Sequence, residues 1–186
     1  MKKIILFAIA AVISVAVSAK GLYLGGQAGF WHEDNDNLRV NTLTILPEIG
    51  YNINDRWAFG TELGFQMKRL CGESVTNIFE ISPYVRYTYF RSSDNLVSLF
   101  LDGGAGAGIG WTSYRHQDDS DTACIWTVGI EPGVSLNFSK NVSIVAHLGL
   151  LGYQGANNAA LDSGFERQGG ILLDGTNLTL GFYVNF

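Results

Sequence analysis

Apolar and polar residues alternate with a period of two along most of this chain. Between Pro47 and Phe65 the apolar positions are Pro47, Ile49, Tyr51 and Ile53, then Trp57, Phe59, Leu63 and Phe65. Glu48, Gly50, Asn52, Gly60, Glu62 and Gly64 fall between them. Such alternation predicts strands with one oily face and one polar or small face. Asn54-Asp55-Arg56 interrupts it with the residues of a hairpin turn.

The unit recurs at each of the chain's 3 prolines. Pro83 opens Pro-Tyr-Val-Arg-Tyr-Thr-Tyr and Pro132 opens Pro-Gly-Val-Ser-Leu-Asn-Phe, each followed by a polar break and another alternating run. Aligning the prolines puts Ile53, Tyr89 and Phe138 at one strand end. Aligning the runs that follow brings Trp57, Val97 and Val142 together, then Glu62, Asp102 and His147, then Gly64, Gly104 and Gly149. Two half-units fit the same register: the run from Leu22 to Phe30, with Gln27 at the Glu62 position, and the run from Leu180 to Phe186. The repeat predicts an all-β fold, an eight-stranded antiparallel up-and-down barrel. Its strands are expected at 22–31, 42–53, 57–68, 76–90, 96–111, 123–138 and 142–153, with an eighth ending at Phe186. The start of that last strand is open, because Ile171 to Leu173 extend it only across a bulge at Asp174-Gly175.

Composition turns this barrel into a transmembrane one. Hydrophobic residues make up 47% of the chain, and there are 23 glycines. In a membrane barrel the outer face meets lipid and can be uniformly oily, while glycine and small polar residues fit a narrow lumen. Breaks alternate short (54–56, 91–95, 139–141) and long (32–41, 69–75, 112–122, 154–168). That fits periplasmic turns on one side and outside loops on the other. Outward Trp57, Tyr87, Tyr89 and Phe186 would form one interfacial aromatic belt, and Trp111 and Trp126 the other. The prolines sit at lipid-facing positions, where a ladder donor is lost. A soluble, lipocalin-like barrel with the apolar face turned inward is the alternative on that count.

Met1-Lys2-Lys3, an apolar run to Val17 and Val17-Ser18-Ala19 have the plan of a secretory signal peptide. Residues 1–19 are therefore expected to be cleaved, leaving 20–186 as one barrel domain in the bacterial outer membrane. No cysteine lies near the cut, which argues against a lipid anchor. The net charge of −5 excludes a nucleic-acid partner.

The signal peptide, the alternating strands and a C-terminal phenylalanine after Leu178, Leu180, Phe182 and Val184 together resemble the OmpA/OmpX-type outer-membrane barrels. The resemblance covers the whole mature chain. It implies that Phe182, Val184 and Phe186 belong to the signal read by the barrel-insertion machinery. It also implies a monomer surrounded by outer-membrane lipid, without the peptidoglycan-binding domain of longer relatives.

The polar face carries Glu48, Glu62, Lys68, Glu80, Arg86, Asp102, Glu131 and His147. Charges in a narrow lumen must pair or lose their charge. Glu48, Glu62, Arg86, Asp102, Glu131 and His147 are therefore expected to form a structural plug around Arg86, with a narrow porin-like channel as the alternative. A lipid-modifying enzyme would need Ser, His and an acid at the outer rim. Loop residues His32 and His116, with Ser113, Ser120 and Ser163, supply the types but not a recognisable spacing. The acidic runs at 33–36 and 118–121 lack the glycine and distal glutamate of a calcium loop. No cofactor, metal site or enzyme activity is expected. The role expected is structural or interactive, with acidic loops displayed to a surface or host partner. Cys71 and Cys124, the only cysteines, both lie on the loop side of an exported chain and are expected to form a disulfide.

Overall fold

The computed structural model describes residues 21–35, 38–70, 74–115, 120–172 and 178–186. Six long strands run in order: β1 Leu22–Asn35, β2 Leu38–Asn52, β3 Trp57–Leu70, β4 Ser74–Arg91, β5 Val97–Tyr114 and β6 Ser120–Asn137. They are followed by β7 Val142–Leu148, β8 Leu150–Ala156, a short helix α1 Asn158–Asp162, β9 Gln168–Leu172 and β10 Leu178–Asn185. Every neighbouring pair is antiparallel. β6 pairs with β7 along one half and β8 along the other, so those two segments make one wall strand. β9 and β10 make the next, against β8 and β7. β10 then pairs with β1 and closes an eight-stranded barrel.

The alternation fixes which face is which. Ile45, Phe59, Leu63, Phe79, Ile81, Ile109, Val128, Leu180 and Phe182 are exposed on the outside, and Gln27, Glu48, Asp102 and His147 are buried inside. The polar face lines the lumen, which overturns the lipocalin-like arrangement. Trp57 stacks on Tyr87 at 4.6 Å near the short-turn end, and Trp111 and Trp126 lie exposed toward the other.

The strands run further into the expected loops than hydropathy indicates. β1 and β2 stay in register as far as Asn35–Leu38, so most of 32–41 is ladder. β4 and β5 likewise pair out to Ser74–Tyr114. Cross-strand backbone pairing does not need an apolar residue, so polar sequence conceals it. The longest expected loop holds α1. The expected single strand 142–153 is split at Gly149, whose φ of 124° only glycine adopts readily. One extra residue there makes a bulge that reverses the alternation: His147 faces in before it and Leu150 after it. A second bulge at Tyr89 offsets the middle repeat from the other two.

The prolines have a consistent geometry. Pro47 and Pro83 stay paired with the preceding strand, opposite Gly26 and Thr61. On the following strand's side, Leu46-Pro47 and Ser82-Pro83 drop out of the ladder and the same register resumes beyond. Pro132 keeps its pairing to Leu101, and its open side faces the Gly149 bulge. Each proline thus interrupts the ladder on one side only; the register is kept beyond Pro47 and Pro83 and shifts by one residue opposite Pro132.

The short turns use one device. Asn54 Oδ1 accepts from the backbone N–H of Arg56 and Trp57, both at 2.9 Å. Ser139 Oγ does the same for Asn141 and Val142, at 3.2 and 3.1 Å. Such side-chain turns hold a tight connection without glycine.

Candidate functional site

The lumen divides into a floor, a chamber and a roof. The floor lies toward the short-turn end. Arg86 sits on β4, opposite Asp102 on β5, and its Nε and Nη2 donate to the two carboxylate oxygens at 2.8 and 2.7 Å. Asp102 also lies 3.0 Å from His147 Nε2, and His147 Nδ1 lies 3.2 Å from Gln27 Oε1. Gln27 Nε2 donates to Glu62 at 2.9 Å and to the Tyr183 hydroxyl at 3.3 Å. Glu48, 3.7 Å from Arg86, accepts from the hydroxyls of Tyr84 and Tyr183, and Tyr23 joins Tyr84. Arg86 stacks on Phe100 at 4.1 Å.

Residues from seven wall strands meet in this layer because glycines make room for the rings. A Cβ on Gly25 would strike the Tyr183 ring, on Gly50 the Tyr23 ring and on Gly133 the Phe100 ring. On Gly60 it would come within 2.5 Å of the Tyr84 hydroxyl. At these four positions glycine serves a particular set of aromatic contacts. Among the described residues, every fully buried side-chain nitrogen and oxygen has a hydrogen-bond partner. That condition lets charge sit in a low-dielectric core.

The roof closes the other end. Asn157 caps α1, its Oδ1 accepting from Ala160 N and Cys124 N at 3.0 Å each. Ala160 packs into a fully buried cluster with Ile78, Ala123 and Ala156. Below α1 a hydroxyl chain runs from Ser163 to Thr112 at 3.0 Å and on to Thr76 at 2.9 Å. Lys68 donates to the Gly164 carbonyl and lies over the Phe165 ring.

Between them is a chamber of about 760 Å³, lined in part by Gln27, Glu62, Gln66, Glu80, Glu131 and Gln154. Of the residues expected in the plug, Glu48, Glu62, Arg86, Asp102 and His147 come together. Glu131 sits beside Asp102 in the ladder but faces the chamber and has no hydrogen bond or ion pair to a described residue. Sequence reasoning missed Tyr23, Tyr84 and Tyr183, and it put Phe100 on the inner face without counting it in the plug, although all four interrupt the polar face with a ring. It missed the roof entirely, except for listing Ser163 as a candidate.

Elsewhere the candidates stay apart. His32 bonds Asn41 at 2.7 Å across the β1–β2 hairpin and meets no serine. Ser163 is buried beneath α1. His116, Asp118 and Asp119 lie outside the described residues. So does Cys71, the expected partner of Cys124, which is a half-buried free thiol. No group of metal-ligating side chains occurs among the described residues. Phe182, Val184 and Phe186 fall on the outer face of the last strand, next to β1.

A closed barrel, apolar outside and charged inside, is a membrane architecture, and the sequence agrees: the outer membrane protein beta-barrel domain matches residues 4–186. The chain belongs to that family. Neisserial surface protein A (NspA) shares the fold in its crystal structure, with a TM-score of 0.56 at 17% identity over 90% of this chain and 98% of that one. The outer membrane protein Ail of Yersinia pestis in a nanodisc gives a TM-score of 0.42 at 15% identity, over 90% and 100% of the two chains. Crystalline Ail gives 0.40 at 16%, over 89% and 95%. No curated protein sequence matches the chain. As an outer-membrane barrel, it presents its exposed apolar band to lipid, with the short turns and the loops in the water on either side.

Proposed function

We propose that the protein is a non-conducting outer-membrane barrel whose work is done at its surface, as a structural element or through its outside loops. The Arg86 floor carries this reading. An eight-stranded barrel is only just wide enough for side chains to fill, and here Arg86, Phe100 and three tyrosines occupy the lumen with their polar atoms paired. An ion would have to displace a buried, doubly bonded guanidinium–carboxylate pair. Planar-bilayer recording of the folded protein tests this: a flat trace is expected, and a large, stable conductance step overturns it.

The same reading treats the protein as no enzyme. His147 is committed to Asp102 and Gln27 on the floor, and His32 to Asn41, so neither stands beside a serine. Altered lipid A on overexpression, lost on His32→Ala, would reverse that assignment. The proposal includes a monomer delivered after cleavage near Ala19 and recognised by the insertion machinery through Phe182, Val184 and Phe186.

A further inference from the structure

Eight strands make a barrel only just wide enough for side chains to fill. The floor fills it. Above the floor the wall leaves the chamber of about 760 Å³, within the range of about 300–1,000 Å³ that suits a small ligand. Glycine makes that room: Gly29, Gly64, Gly104, Gly106 and Gly129 all line it. On the floor a Cβ at Gly25 or Gly50 would strike a ring, whereas at Gly29 it would meet only Thr44, 4.0 Å away. A larger side chain would fit at Gly29, and the sequence puts none there.

The polar groups around this space have bonding capacity to spare. Thr44, Gln66 and Thr127 line it and have no hydrogen bond to a described residue. Gln154 and Gln168 bond only each other, at 3.1 Å. Every fully buried polar atom among the described residues is satisfied, so these groups are reached from the chamber itself. Charge does not select the occupant. Arg86 is engaged with Asp102 and Glu48, and Lys68 with the Gly164 carbonyl, which leaves neither for an anion. An unpaired carboxyl in so narrow a lumen is no counter-charge for a cation. Rings border the loop end of the same space. Gly29, Thr44 and Gln66 form one row across β1–β3, Trp31 is the next lumen-facing residue above Gly29, and Phe165 comes in from the roof. Amides and hydroxyls beside an aromatic face suit a sugar, whose hydroxyls take the hydrogen bonds while its C–H face lies on the ring. The roof is joined by hydrogen bonds and packing to β3, β4, β5, β6 and β8, whereas Trp31 on β1 is 44% exposed. The mouth is therefore on the β1–β2 side, open to the loops.

We propose that the chamber is a binding site for a neutral saccharide of one or two rings, entered from the loop side. Trp31 lies against a sugar face, and Thr44, Gln66, Thr127 and Gln154 take the hydroxyls. This goes beyond the surface role. The site ends above the floor, so it does not depend on whether the lumen conducts.

The test uses the full-length folded protein in phosphatidylcholine nanodiscs, titrated with glucose and with maltose and followed by saturation-transfer NMR against empty discs. Saturable binding of at least one of the two sugars is expected, with glucosamine and glucuronate binding no more tightly than glucose. Gly29→Leu fills the chamber without meeting a neighbour and should abolish binding. Gly103→Leu makes the same change on the lipid face, where a Cβ also meets nothing within 4 Å, and should leave binding intact. Trp31→Ala should weaken binding roughly tenfold, as for loss of one good contact. Heat-shifted gel mobility verifies folding of each variant. Should Gly29→Leu not fold, Gln66→Leu, which keeps the side chain's size and breaks no bond within the protein, carries the test and should weaken binding severalfold. Absence of saturable binding by both sugars would overturn the proposal and leave the chamber to water. Tighter binding of either charged sugar, or wild-type affinity in Gly29→Leu, Trp31→Ala or Gln66→Leu, would overturn it equally.

Discussion

The floor and the roof both close the lumen, by opposite means. The floor is assembled from side chains on seven wall strands and bound by charge: Arg86 to Asp102, Asp102 to His147, Glu48 to Tyr84 and Tyr183. The roof is one continuous piece of chain, α1 and the residues after it. It is held by small apolar residues, an asparagine cap and a hydroxyl chain. The floor therefore cannot open without disturbing the wall. The roof's anchors to the wall, Ser163–Thr112, Lys68–Gly164, Asn157–Cys124 and the Ala160 cluster, all lie on one stretch of chain, so it can loosen as a unit.

The sharpest way to break this comparison is to remove the guanidinium. Arg86→Met leaves Asp102 and Glu48 buried without their cation, and such uncompensated charge costs about 3–5 kcal/mol. Urea unfolding of vesicle-inserted protein, followed by tryptophan fluorescence, should register the loss. Adding Asp102→Leu should restore part of it, because an apolar pair carries no orphaned charge. If Arg86→Met unfolds at the wild-type midpoint, the floor is not a structural element.

Overpacking the floor comes next. Gly50→Val drives a side chain into the Tyr23 ring, and inserted methyl groups in a filled core cost about 1–3 kcal/mol. The equivalent change at Gly103, where a Cβ meets nothing within 4 Å, serves as the control. Equal losses at the two sites would refute the ring-and-glycine account.

Roof variants should have smaller and more local effects. Ser163→Ala removes one link of the hydroxyl chain and should cost about 1 kcal/mol of local stability. Global unfolding should stay put while protease cleavage within 157–167 accelerates. A drop in the global midpoint matching that of Arg86→Met would show that roof and floor are one cooperative unit.

The smallest effect belongs to the turn before β5. Asp94 accepts hydrogen bonds from Ser92 Oγ and the Leu96 N–H, which hold its carboxyl below the usual carboxylate range. A group with a depressed folded pKa contributes stability above its unfolded pKa and loses it as pH falls through the folded one. Asp94→Asn should therefore leave acid unfolding almost unchanged and slightly flatten its acid limb, read from the same fluorescence signal.

Much of the wall could be read from single residues. Period-2 alternation through Ile49, Tyr51, Phe59 and Phe79 fixed strand direction and faces, because every second side chain of a strand must meet lipid. Asn54 and Ser139 marked their turns by side-chain chemistry that acts within three residues. The gathering of Glu48, Arg86, Asp102 and His147 was also legible, since charges on the inner face of so narrow a barrel have only one another. These are local or period-bound properties, and a sequence carries them directly.

The rest depended on which strands meet at which height. Tyr183 fits over Gly25 and Phe100 over Gly133 only once register has set them side by side, and nothing in the sequence pairs a given ring with a given glycine. The Gly149 bulge turns Leu150 inward, a shift of one residue that composition does not record. The helix over the lumen forms from a stretch too short to hold helical structure alone, so its existence depends on Ile78, Ala123 and Ala156 being brought beneath it. The sequence determined the barrel and its sidedness, because alternation is a property of each strand separately. Closure of the lumen was decided by tertiary structure, because every contact that closes it joins residues far apart along the chain.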